Sequence, residues 1–282
     1  MAAPGQTETK VAIITGGASG LGLGVAIDLA KRGQWFVHIL DLDTDRGEAA
    51  AKGFGPIAAF HRINVNDYAS LAAVFDKVFR QHCRLDLVFA NAGIVDNVDF
   101  YAKHDGQGPP PELDQVAVDI DLKSVIATTY LAQHYFRLCP HVAARNVIMT
   151  ASVGSLYPCF AIPMYTGAKH GVVGFLRAIA PRLVSEGIRA NAILPGVVAT
   201  NLMTEEDFEH YPPECFTPLE AVTGAVLQIV DGMDMSDAKG RTVQGADVYG
   251  QAVEINMNNI YFRDQPEWCD EAMPHVLAAT ER

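Results

Sequence analysis

Tyr165 and Lys169 stand one helical turn apart in a stretch that reads as a helix, so both side chains share one face. A phenol ordinarily titrates near about 10, and an ammonium one turn away stabilises the phenolate and pulls that value down. The pair suits proton exchange with a substrate oxygen. Ser152 closes an apolar run ahead of it and offers a hydroxyl that could orient the same oxygen. A second cluster lies near the N-terminus, where Thr15-Gly16-Gly17-Ala18-Ser19-Gly20-Leu21-Gly22 follows an apolar run and precedes a helical stretch. Glycines there allow a tight turn and let a pyrophosphate approach the backbone N–H groups of a helix N-terminus. The spacing is Gly-x-x-x-Gly-x-Gly rather than Gly-x-Gly-x-x-Gly. Asp41 ends the next apolar run, about twenty residues on, where a carboxylate can accept from an adenosine ribose diol. Asp43 adds negative charge, and neither the glycine turn nor residues 42–45 carry a cation for a 2′-phosphate. The pattern favours NAD over NADP, with Arg46 the nearby cation that would act against that preference.

These residues need elements to hold them. Apolar runs at 11–15, 35–40, 57–63, 85–90, 146–151 and 188–194 read as strands. Helical stretches fall between them: from the glycine turn to about Arg32, then 44–53, 67–82, about 112–138 and about 163–186. In 67–82, Leu71, Val74, Phe75, Val78 and Phe79 form a helical apolar stripe behind a capping Asp67. Gly187 is placed to end the 163–186 helix. Strands alternating with helices imply a parallel sheet covered on both faces, and right-handed crossovers make it doubly wound. The expectation is an α/β Rossmann-type fold in one catalytic domain over residues 1–282. It would carry a substrate loop at about 196–215 and a C-terminal tail from about 257. Two stretches break the rhythm as loops: 96–111, with Pro109 to Pro111, and 195–213, with Glu205, Glu206, Asp207 and Glu209.

Taken in order, Thr15-Gly16-x-x-x-Gly20-x-Gly22, Asn91-Ala92-Gly93, Ser152, Tyr165-x-x-x-Lys169 and Pro195-Gly196 resemble the short-chain dehydrogenase/reductase signatures. The resemblance runs from about residue 10 to 200, and more loosely to about 256. Leu122-Lys123-Ser124-Val125-Ile126, the step from Ser152 to Tyr165, and Ala168-Lys169-His170-Gly171 look closest to the 15-hydroxyprostaglandin dehydrogenase-like members. So does a C-terminal tail in place of the usual glycine-rich ending. The resemblance implies Tyr165 as general acid/base, Lys169 on the nicotinamide ribose and Ser152 on the substrate oxygen. It also implies Gly16, Ser19, Gly20, Leu21, Gly22, Asn64, Val65, Asn91 and Gly93 along the cofactor, with Val198 and Thr200 near the nicotinamide carboxamide. Two positions depart from the family. Asp121 stands where an asparagine commonly holds a relay water, and its charge could pair with Lys169 or raise the tyrosine value. Asn64 stands where many members have aspartate, and offers a side-chain carbonyl for the adenine amino group.

The substrate wall is expected from Val153, Leu156, Tyr157, Phe160 and Ile162, with Leu202, Met203 and Phe208 opposite. That lining suits a bulky, apolar secondary alcohol or ketone of polyketide, terpenoid, steroid or fatty type. Ile162 stands where prostaglandin enzymes often carry glutamine, which argues against a prostaglandin. The net charge of −12 argues against nucleic acid and anionic membranes as partners. Cys83, Cys139, Cys159, Cys215 and Cys269 form no CxxC, the nine histidines form no HExxH, and no metal site is expected. His170, next to Lys169, is expected to pack or cap rather than react. Thiol usage, a polar N-terminus and the lack of a run of about 20 apolar residues point to a cytoplasmic enzyme. The family further implies a homo-oligomer, dimer or tetramer, paired through the 112–138 and 163–186 helices. Two other functions compete with NAD-dependent alcohol oxidation. One is ketone reduction with NADH on the same residues, and the other is a dinucleotide sensor without turnover, for which Asp121 is the support.

Overall fold

Val11 and Ile13 point into one apolar core while Ala12 and Ile14 point into another, so strand β1 (Lys10–Thr15) is buried on both faces. Such a strand reads as an unbroken apolar run, as parallel sheets require. The computed structural model describes residues 9–139, 141–142 and 144–280, and the polar residues 1–8 lie outside the described residues. The other strands are β2 (Trp35–Asp41), β3 (Ala58–Arg62), β4 (Leu87–Ala90), β5 (Arg145–Thr150), β6 (Ile188–Pro195), β7 (Met235–Ser236), β8 (Thr242–Val243), β9 (Ala252–Asn256) and β10 (Asn259–Phe262). Eight of them form one sheet in the order β10-β9-β6-β5-β4-β1-β2-β3, parallel except for the β9–β10 pair, while β7 and β8 make a separate ribbon.

The helices are α1 (Gly20–Lys31), α2 (Thr44–Phe54), α3 (Tyr68–His82), α4 (Val116–Val118), α5 (Ser124–Arg137), α6 (Pro163–Ser185), α7 (Glu205–Phe208), α8 (Leu219–Asp231) and α9 (Met273–Ala278). α3, α5 and α6 bury their apolar stripes in the first core, and α1 and α8 bury theirs in the second. The expected doubly wound α/β fold is therefore present. Strand order reverses between β1 and β4, which opens a crevice beyond their C-terminal ends. Among the described residues no helix is long and apolar enough to cross a membrane.

Two expectations change. The helix expected from about 112 starts at Val116, where Asp114 accepts from the Val116 N–H at 2.9 Å. Before α5 it widens into a π-helical turn, Asp119–Lys123. The tail expected from about 257 instead adds β10 to the sheet edge. Arg263 then pairs with Glu254 at 2.7 Å, and Arg177 donates to the Asp264 carbonyl at 2.8 Å.

Away from the crevice, three imidazoles meet under the sheet edge. His38 Nδ1 lies 3.0 Å from His61 Nε2, and His38 Nε2 lies 2.9 Å from His82 Nε2. Each contact needs one nitrogen as donor and the other as acceptor, which suits neutral rings. Burial, followed by His61, His82 and Lys77, pushes His38 from 6.5 down to about 3. Burial and then Lys77 push His61 down to about 4.

Candidate active site

The crevice is built by the ends of β1, β4 and β5. Thr15 ends β1, and its hydroxyl accepts from the Asn91 N–H at 3.0 Å and the Ala92 N–H at 3.1 Å. The Asn91 side chain donates to the Thr15 and Gly16 carbonyls at 3.2 and 3.3 Å and accepts from the Thr150 hydroxyl at 2.9 Å. One amide therefore ties three strand ends together. Helix α1 starts hard against this knot: a Cβ on Gly22 would overlap the Gly16 carbonyl. Gly22 therefore packs the turn and does not line the cleft.

A cleft of about 270 Å³ opens above the knot. Gly16, Ser19, Gly20 and Leu21 line it beside α1, with Asp41, Asn64 and Val65 on the β2–β3 side. Asn91, Gly93, Tyr165, Lys169 and Thr200 line the other side. Asp41 is fixed by the turn itself, because Oδ2 accepts from the Ala18 N–H at 3.0 Å and Oδ1 from the Asp43 N–H at 3.1 Å. Its position lets free lone pairs meet a vicinal diol. Asn64 Oδ1 already accepts from the Asn66 N–H at 3.0 Å, so the carbonyl expected for adenine is shared with a local turn.

Ser152 follows β5, and its hydroxyl accepts from the Gly154 N–H at 3.0 Å within a capping box closed by Ser155. It also stands beside the Tyr165 phenol and pulls its value down, which favours the phenolate. Burial dominates, however, and holds the phenol above its ordinary 10.0, with Asp121 adding repulsion. Lys169 Nζ donates to the Thr150 carbonyl at 3.0 Å and lies 5.4 Å from the Tyr165 ring centre. Burial lowers the Lys169 value, and Asp121 opposes that fall.

Asp121 does not line the cleft. It is wholly buried behind Gly93, and a Cβ on Gly93 would stand 3.0 Å from Asp121 Oδ1 and 3.3 Å from Lys169 Nζ. Asp121 Oδ1 accepts from the Ile94 N–H at 2.9 Å. Oδ2 lies 3.8 Å from Lys169 Nζ and has no hydrogen-bond partner among the described residues. Burial raises this carboxyl from 3.8 to about 6, against the pull of Lys169 and the Ile94 amide. The expected lowering of the phenol by Lys169 is thus overridden, because burial raises the Tyr165 value and the Asp121 charge adds to the rise.

An adjoining apolar pocket of about 130 Å³ is lined by Ser152, Val153, Ile162, Val198, Leu202 and Met203. Sequence reasoning missed Val95, Cys159 and Tyr211, which line it as well. Phe160 is corrected: it is 80% exposed and outside the pocket. The turn closed by the Ile162 N–H on the Cys159 carbonyl sends Cys159 inward and Phe160 out. Tyr157 is also turned to solvent, where Arg263 hydrogen-bonds its hydroxyl, and Phe208 packs on Phe216. The acidic patch beyond Pro195 is the first turn of α7, capped by Thr204, where acids suit the helix dipole. His170 bonds the Thr166 carbonyl at 2.9 Å on the outer face of α6.

The family description "short chain dehydrogenase" matches residues 10–210. The chain belongs to the short-chain dehydrogenase family. Short-chain dehydrogenase/reductase prx7 of Penicillium rubens is 44% identical over 271 residues, covering 92% of this chain and 96% of that one. The (-)-trans-carveol dehydrogenase of Rhodococcus erythropolis is 30% identical over 260 residues, covering 83% and 90%. Human 15-hydroxyprostaglandin dehydrogenase [NAD(+)] is 32% identical over 201 residues, covering 69% and 70%. A solved 3-ketoacyl-(acyl-carrier-protein) reductase from Brucella melitensis, complexed with NADH, superposes with a TM-score of 0.72 at 23% identity. It covers 89% of this chain and 98% of that one, a likeness of fold. Residues 10–210 hold the glycine turn, Ser152, Tyr165 and Lys169 of this short-chain dehydrogenase, whereas β7 to β10 and α9 lie beyond the matched region.

Proposed function

We propose that this short-chain dehydrogenase oxidises bulky, apolar secondary alcohols to ketones, with NAD supplying the hydride acceptor and Tyr165 acting as general base. The observation that carries the reading is the meeting of Ser152 and Tyr165 with an apolar pocket at the mouth of the cleft that Asp41 borders. The residues present fit a dinucleotide. Asp41 would hold the adenosine ribose, Asn64 and Val65 the adenine side, and the backbone of Gly16, Ser19, Gly20 and Leu21 the pyrophosphate. Asn91, Gly93, Lys169, Val198 and Thr200 would hold the nicotinamide side. Ser152 then orients the carbinol oxygen, and the Tyr165 phenolate takes its proton. Lys169, carried by the Thr150 carbonyl, supplies the positive charge that Asp121 partly balances. The alcohol named for the Rhodococcus relative is of the apolar kind that the pocket suits. A homo-oligomer is supported by Ile126 and Tyr130, exposed on one face of α5. The free thiols agree with a reducing, cytoplasmic setting.

A second reading, ketone reduction, is favoured by the raised phenol, because a protonated Tyr165 is ready to donate. Near-ultraviolet absorbance of NADH, followed with hydrophobic alcohols and ketones, tests both directions. Turnover of apolar secondary alcohols is expected. If folded protein binds NAD yet converts none of the panel, a dinucleotide sensor replaces both readings.

Two variants sharpen the assignment. Asp41→Ala loses charge-assisted hydrogen bonds to the ribose and should weaken NAD about tenfold while narrowing its preference over NADP. Fluorescence titration with both cofactors reads this, and a parent that already prefers NADP would refute the role given to Asp41. Asp121→Asn removes a negative charge that raises the Tyr165 value. The phenolate then forms at lower pH, so the rising limb of alcohol oxidation should move down by about one unit. An unmoved limb in the pH–rate profile would place Asp121 outside the proton machinery.

A further inference from the structure

We propose that Asp96 is a positioning residue for Tyr165, a role that rests on the acid–base reading of Tyr165 given above. Helix α6 begins at Pro163, and its N-cap residue Ile162 makes no side-chain cap. Proline has no N–H, so the first free donors of the helix are the amides of Met164 and Tyr165. Both go to one carboxylate: Met164 N–H to Asp96 Oδ2 at 3.0 Å, and Tyr165 N–H to Asp96 Oδ1 at 2.7 Å. The next amide, Thr166, closes on the Ile162 carbonyl at 3.0 Å. The cap of the catalytic helix therefore comes from the loop beyond β4, far away in sequence. Its charge also faces the positive end of the helix dipole.

The geometry makes Asp96 more than a generic cap. The bonded amide is that of Tyr165 itself, and a helical side chain is aimed by its own backbone. Two residues before Asp96, the Ile94 N–H is held by Asp121 Oδ1. The short segment from Ile94 to Asp96 is thus strapped at both ends, to the partner of Lys169 and to the backbone of Tyr165. Between the straps, Val95 lines the apolar pocket. A substrate body resting on Val95 bears on the segment that fixes the phenol. Asp96 also acts through space, because its charge helps raise the Asp121 carboxyl. The groups facing this pair are Lys169 and Tyr165 from α6. Ser152, Cys159 and Tyr211 face the phenol from the other walls.

The test compares Asp96→Ala, which removes both acceptors, with Asp96→Asn, which keeps the shape and one acceptor but no charge. Hydrogen exchange of the peptide spanning 163–170 reads the cap, and steady-state kinetics with an alcohol from the panel read the position of the phenol. In Asp96→Ala, exchange at Met164 and Tyr165 should quicken and kcat fall, each by about tenfold, with KM for NAD unchanged. In Asp96→Asn the loss of kcat should be smaller. Its KM for NAD should again be unchanged. A merely structural role would slow turnover and weaken NAD together, whereas a positioning role slows turnover alone. Unchanged exchange in both variants overturns the proposal whatever the activity, and so does faster exchange with kcat untouched. A parent without turnover would instead overturn the function above, and exchange would still decide the cap. If Asp96→Ala does not fold, Asp96→Asn carries the test through exchange and the split between kcat and the KM for NAD.

Discussion

Tyr165→Phe is expected to lower turnover by about 10²–10⁴-fold, the range for losing a positioned general acid or base. The substitution keeps the ring, which is nearly buried, and removes only the hydroxyl that meets Ser152. Among the described residues no hydrogen bond joins that hydroxyl to Asp41, Asn64 or the glycine turn, so NAD affinity should be retained. The pH dependence of the residual rate should flatten, since the titrating phenol is gone. Lys169 stays anchored on the Thr150 carbonyl, so the loss is not a collapse of the site. Kinetics alongside cofactor titration check this, and turnover close to the parent's would remove Tyr165 from the acid–base role.

Acid should unfold this protein before it titrates most of its carboxylates. The folded values of His38 and His61 are lowered from 6.5, so their stabilisation is present above 6.5 and is lost as pH falls toward about 4 and about 3. Below 6.5 the unfolded chain takes up protons that the neutral column refuses. Each histidine then costs about 1.4 kcal/mol per pH unit, on the order of 5 kcal/mol for the two by about pH 4.5. That is comparable with the whole stability of many domains, about 5–15 kcal/mol. Urea midpoints at pH 7.5 and 5 should therefore differ widely. His61→Gln, which keeps a polar partner for His38 but does not titrate, should roughly halve the slope. Equal midpoints at the two pH values would sink the argument.

The strands of the parallel sheet were legible because burial on both faces writes them as unbroken apolar runs, as in Val11 to Ile14. The glycine turn, Asp41, Ser152, Tyr165 and Lys169 were legible because each sits at the end of such a run or at helical spacing. What escaped depends on tertiary pairing. The bond from Asp96 to Tyr165 joins distant segments, and Asp96 alone looks like the start of a loop. The histidine column needs β2, β3 and α3 in register, which no local period announces. The outward turn of Phe160 is not legible, because apolar character does not say which side of a tight turn a ring will take. Strand β10 is short and sits at the sheet edge, so Asn259 to Phe262 reads as tail in the sequence. Asp121 stands out in the sequence as a departure, but its lack of exposure and unpartnered oxygen follow only from packing behind Gly93.

The widened turn at Asp119–Lys123 has a consequence for angular phase. An α-helix advances about 100° per residue, so one extra residue in a single turn offsets the side chains on either side of it by about that angle. Beyond the turn, Val125, Leu131, Ala132 and Phe136 of α5 face the first core. Within it, Asp121 faces Lys169. A regular helix has one fixed phase, and the wide turn works as a vernier between two. It lets the same rod keep its apolar stripe on the sheet while it turns a carboxylate toward the floor of the cleft.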